Sequence, residues 1–139
     1  MVKHYNPNPT CKFFKSGKPK NWYINDSAVR AIAKVFDITW ETAYDMLCKA
    51  GLALHDIPIS KQAISFILEK NGFQFVTLGK PKKGEPRPSV EEFTKDLDKS
   101  ALMYVLNLAD YFVTVIDGDI YDVSDECLKS AVYSYWIKK

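Results

Sequence analysis

An α+β domain, with helices early in the chain and an antiparallel sheet late, is what this sequence predicts. Three observations carry that reading. Apolar residues recur at helical spacing between Ala28 and Leu68. After Gly72 the period shifts to two, in runs rich in Val, Ile, Tyr and Leu. The 139 residues, 47% hydrophobic and 26% charged, suit one globular domain that buries its own core.

Residues 1–24 read as a basic extended arm, because Pro7, Pro9, Gly17 and Pro19 interrupt any regular element. The arm holds Lys3, Lys12, Lys15, Lys18 and Lys20 and no acid, so it is +5 while the remainder of the +2 chain is −3. A single domain then spans residues 25–139. Asp26 or Ser27 caps a first helix whose apolar face is Ala28, Val29, Ala31, Ile32, Val35 and Phe36. Thr39 caps a second, with Trp40, Ala43, Tyr44, Leu47 and Cys48 inward and Gly51 as its terminator. Ser60 opens a third, which ends at Asn71-Gly72. Phe73, Phe75 and Thr77 alternate as a strand. Residues 79–88 form a Lys/Pro/Gly loop, and Ser89-x-x-Glu92 is a capping box for a short helix. Strands follow at 102–108, 111–116, 119–123 and 131–137, with Asp117-Gly118 as a hairpin turn.

Composition narrows the function classes. Cys11, Cys48 and Cys127 are widely spaced without a C-x-x-C pair, which points to reduced thiols rather than a zinc site or disulfide framework. Cys48 reads as core. Cys127, beside Asp125 and Glu126, reads as a thiol whose thiolate is disfavoured. No apolar run approaches the ~18 residues of a membrane span. No motif calls for a cofactor. Asp117, Asp119, Asp122, Asp125 and Glu126 form an acidic stretch that reads as a turn and a solvated face, with a divalent cation site as the alternative. Tyr5, Phe13, Phe14, Trp22 and Tyr23 interleave with the arm lysines, a footprint of single-strand nucleic-acid binding. A +5 arm alone gives only weak, salt-sensitive affinity, so aromatics that pin the arm to the domain are preferred.

Four segments carry a family resemblance. Asn25-Asp26-Ser27-Ala28-Val29-Arg30-Ala31, Tyr44-Asp45-Met46-Leu47, the run from Tyr111 to Asp125 that contains Asp117-Gly118 and Tyr121-Asp122, and Tyr135-Trp136 lie in this order. The Asn6-Pro7-Asn8-Pro9 opening joins them. Together they resemble small phage and prophage papain-like (bacteriocin-processing-peptidase-like) cysteine peptidases, over nearly the whole chain. The resemblance implies a papain-like fold, with a nucleophile on the first core helix and a base on a later strand. Ser27 stands at the nucleophile's position, Tyr111 at the base's, and Asp122 at that of the group that orients the base. Ser124 replaces a tryptophan of the family pattern.

Those departures remove the chemistry. A cysteine at a helix start is activated because its pKa needs to fall only a few units from ~8.5. A serine needs a base within reach, and a neutral phenol with pKa ~10 is a poor one. The expectation is therefore a catalytically degenerate relative that binds a host or phage protein in the bacterial cytoplasm, as an inhibitor in one version. Ser27, Tyr111 and Asp122 would floor its cleft. No metal, membrane or nucleic-acid partner is expected. Three alternatives stay open: a divergent hydrolase using Ser27, with His4 or His55 brought in as base; nucleic-acid binding through the arm; and a closed cleft, with Ser27 as a cap and Tyr111 as a core aromatic.

Overall fold

The computed structural model describes residues 2–8, 25–97 and 102–139. In chain order they form β1 (Val2–His4), α1 (Ser27–Phe36), α2 (Trp40–Leu54), α3 (Lys61–Lys70), β2 (Gln74–Thr77), α4 (Val90–Lys95), β3 (Met103–Leu108), β4 (Tyr111–Ile116), β5 (Asp119–Asp122), a 3-10 turn (Glu126–Lys129) and β6 (Ser134–Lys138). The fold is α+β, as the periodicities require. The sheet is mixed rather than purely antiparallel. Its six strands run β1-β5-β4-β3-β6-β2, and β1 lies parallel to β5.

That parallel pair places the first residues of the N-terminal arm in the sheet. Val2 aligns with Ile120 and His4 with Asp122, and the Tyr5 amide donates to the Asp122 carbonyl at 2.8 Å. Lys3 pairs with Asp119 at 2.9 Å. The Lys34 ammonium of α1 lies 4.2 Å from the Tyr121 ring centroid and 5.0 Å from that of Tyr5, which adds cation–π attraction to this edge. Three residues give too little periodicity to announce a strand. Residues 9–24, with four of the arm lysines, lie outside the described residues.

Each face of the sheet carries its own core. Helices α1, α2 and α3 cover one face, where Ile32, Leu47, Ile64, Leu68, Phe112 and Trp136 are buried. On the other, Val90, Leu106, Val113, Val115, Ile120 and Cys127 pack beneath α4 and the 3-10 turn. Strand β4 is buried on both sides and so reads as a nearly unbroken apolar run. Its one polar exception, Thr114, donates to the Ala31 carbonyl at 3.0 Å. The buried Trp136 indole likewise donates to Ser65 at 3.1 Å.

Local signals place the helix starts. Thr39, Ser60 and Ser89 each accept an amide from the first turn. Asp117 and Gly118 both have positive φ, as a two-residue turn between twisted strands requires. Strand β6 begins later than its composition suggests. The Val90 amide donates to the Ser130 carbonyl and the Val132 amide to the Pro88 carbonyl, so this stretch is held by Pro88 and the start of α4.

Gly51 is not a terminator. Helix α2 continues to Leu54 and ends on a left-handed His55. Gly51 instead permits a close approach, since a Cβ there would lie 2.7 Å from the Asp56 carbonyl oxygen. The Asp56 amide in turn donates to the Gly51 carbonyl at 2.8 Å. Sequence position alone does not separate a glycine that stops a helix from one that admits a neighbouring backbone. The two roles predict opposite signs. Gly51→Ala in a plain helix would stabilise by ~1 kcal/mol; here it is expected to destabilise by about 1–3 kcal/mol through overpacking, read by urea unfolding.

Candidate functional site

Asp26 holds the N-cap position of α1, yet its side chain caps no amide. It pairs with Arg30 one turn along, accepts from the Trp40 indole at 3.0 Å, and accepts from the Asn8 amide group at 2.9 Å. Arg30 then reaches across to the sheet. Its guanidinium donates to the Tyr111 hydroxyl at 2.7 Å and lies 3.5 Å from an Asp122 oxygen. Tyr111 donates its hydroxyl to that same oxygen in a 2.7 Å hydrogen bond, and the Val123 amide adds another at 2.8 Å. One buried guanidinium thus lies between two buried carboxylates, with a phenol bridging it to one of them.

This cluster fixes what its members can do. Burial first, and then the hydrogen bond to Asp122, raise the Tyr111 pKa above its ordinary 10.0, against the opposing pull of Arg30. The phenol is held as a donor and is no base. Burial and the Asp122 charge push the Cys127 thiol up to about 12. The sequence names Asp125 and Glu126 as the thiol's negative neighbours; the stronger one is Asp122, Asp125 adds less, and burial outweighs both.

Ser27 lies apart from the cluster. It is buried, and its Oγ accepts the Phe112 amide at 3.2 Å. It also lines a groove of about 850 Å³. Ser27, Asn107 and Ser134 supply polar groups there, and the Asn107 amide group donates to Ser134 at 2.9 Å. Ile57 and Ile59 form an apolar wall, and Lys61, Lys80 and Arg87 are the cations of the lining. Tyr111 and Asp122 are not among the lining residues. Strand alternation accounts for the division. Phe112 packs with α1–α3, whereas Tyr111 belongs to the opposite face. The cleft floor expected from sequence therefore separates into Ser27, which faces the groove, and Tyr111 with Asp122, which face each other.

Neither histidine supplies the missing base. His4 bonds Asp125 at 3.0 Å beside the β1 edge, and His55 caps α2; neither lines the groove. Among the described lining residues the carboxylate is Asp110. The acidic stretch disperses, with Asp119 on Lys3, Asp125 on His4 and Asp122 in the cluster. Among the described residues no three His, Cys, Asp or Glu side chains gather as a metal-ligand set. Cys48 is half-buried.

Sequence reasoning missed Arg30, Asn8 and Trp40 as partners of Asp26. Only the four-residue spacing of Asp26 and Arg30 was a local signal. Compared with known proteins, the chain matches no protein-family model, no curated protein and no solved structure. No helix among the described residues is long and apolar enough to cross a membrane.

Removing the central cation leaves two buried carboxylates without their charge partner. Arg30→Ala is expected to cost about 3–5 kcal/mol in denaturant unfolding, and Tyr111→Phe about 1–3 kcal/mol. Because folding raises the Tyr111 pKa above 10.0, its contribution is complete below pH 10 and is lost as pH climbs beyond it. Tyr111→Phe should lower the neutral plateau by that amount and flatten the alkaline loss in a stability–pH series.

Proposed function

We propose that the chain is a non-catalytic binding protein that holds a segment of a partner protein in the groove beside Ser27. Its scaffold is read as a degenerate papain-like one. Supporting that reading, Ser27 opens α1 against the strand that begins at Tyr111, and Tyr111 meets Asp122. One observation carries the loss of catalysis. The residue in the base's place is tied on both sides, to Arg30 and to Asp122, and its proton is held more tightly than in a free phenol. What remains is a pre-formed concavity with a polar floor and an apolar wall, within the size range of ligand sites. A host or phage protein as the partner, inhibition of it as the outcome, and the bacterial cytoplasm as the setting rest on the sequence resemblance alone.

The test fills the groove from its exposed rim without disturbing the core. The full chain and a Thr77→Trp/Ala109→Trp variant are compared as bait in lysate of a bacterial host, with mass spectrometry of what is retained. A stoichiometric protein held by the parent and lost by the folded variant supports the proposal. The same protein held equally by both, or none held by either, overturns it.

A hydrolase reading keeps one supporting observation: the Ser27 hydroxyl is at a helix start and borders the groove. With no histidine in the lining, Ser27 lacks activation. A fluorophosphonate probe is expected to leave it unlabelled under conditions that label a serine hydrolase. Stoichiometric labelling lost in Ser27→Ala would restore the enzyme reading.

A further inference from the structure

The groove's two walls differ in chemistry, and each is held in place. The apolar wall is the loop between α2 and α3. The left-handed His55, the Asp56–Gly51 backbone bond and the 2.8 Å bond from the Ile57 amide to the Asp56 carboxylate fix it. Pinned this way, it carries Ile57 at 61% exposure and Ile59 at 36%. A loop that holds β-branched apolar side chains out into water beside a concavity presents surface for contact.

The opposite chemistry comes from Lys61, Lys80 and Arg87. Lys61 is in the first turn of α3, and its ammonium lies 4.8 Å from the Phe75 ring centroid. The Arg87 guanidinium donates to the Gly79 carbonyl at 2.7 Å and lies 4.5 Å from the Tyr133 ring centroid, which orients it while leaving other donors unused. Among the described residues none of these three cations has a carboxylate partner, whereas Lys3, Lys49 and Lys95 do. Asp110 is the one acid among the described lining residues, so three positive charges stand against one negative there.

We propose that the groove takes an extended acidic protein segment, with an aliphatic side chain against Ile57 and Ile59 and carboxylates against Lys61, Lys80 and Arg87. The inference rests on the binding reading above and gives the partner its chemistry. A free phosphate or a small carboxylate would use the cations and leave the apolar wall wet. A purely apolar segment would bury the cations unpaired. A protein segment with both kinds of side chain satisfies the two walls together.

The full chain is used to select from a display library of random dodecapeptides, and the selected peptides are measured by fluorescence anisotropy. Peptides enriched in Asp and Glu flanking an aliphatic residue are expected. Their affinity should fall about tenfold or more in Lys61→Glu/Lys80→Glu, hold in Lys82→Glu/Lys83→Glu, and weaken as salt rises. Lys82 and Lys83 are exposed, do not line the groove, and give the same change in net charge. Thermal midpoints of the two double variants exclude unfolding as the cause. Acidic peptides equally sensitive to both pairs overturn the placement. Neutral or basic peptides blocked by Thr77→Trp/Ala109→Trp overturn the acidic preference and leave the groove reading standing. No selected peptide overturns both. Binding of labelled oligothymidylate that depends on Lys61 and Lys80, with no selected peptide, assigns the cations to nucleic acid instead.

Discussion

One buried guanidinium ties several elements of this fold together. Arg30 sits between Asp26 and Asp122, and each carboxylate recruits further donors. Through Asp26 the cluster ties down Asn8, which follows β1, and Trp40 at the start of α2. Through Tyr111 and Asp122 it fastens the start of β4 to the end of β5. Buried ions are costly unless paired and hydrogen-bonded. The supply of neutral donors from Asn8, Trp40, Tyr111 and the Val123 amide offsets that cost here. Every element in contact with the cluster is therefore constrained by the same charge balance.

The same constraint decides the chemistry. A group tied between a cation and a carboxylate can neither approach a substrate nor release its proton easily. Ser27, next to this cluster along the chain, accepts the Phe112 amide and borders a groove whose lining holds no histidine. The Tyr111–Asp122 pair and the groove are thus separated by a single strand alternation, with Tyr111 on one side of β4 and Phe112 on the other. What stays accessible is the concavity itself, with its exposed isoleucines and cations that have no carboxylate partner among the described residues.

Legibility in the sequence followed the range of the interaction. The caps at Thr39, Ser60 and Ser89 and the turn at Asp117-Gly118 depend on neighbours within a few residues, and all were readable. So was the change from helices to strands, because periodicity is local. The parallel pairing of Val2–His4 with Ile120–Asp122 was not, since three residues carry too little pattern and their partner is more than a hundred positions away. Gly51 misled because a stop and a close approach use the same residue. Ser27, Tyr111 and Asp122 were singled out by resemblance, but the residue that governs two of them, Arg30, bonds its partners across 81 and 92 positions. No spacing rule reaches that far.

The most direct measurement is a pH titration of the Tyr111 ring by carbon NMR, with the signal assigned by its absence in Tyr111→Phe. A phenol locked between Arg30 and Asp122 keeps its shift constant through pH 10 and titrates only above it. A midpoint at or below pH 10 would mean that the phenol is not held between Arg30 and Asp122, and it would contradict the locked cluster on which the non-catalytic proposal rests.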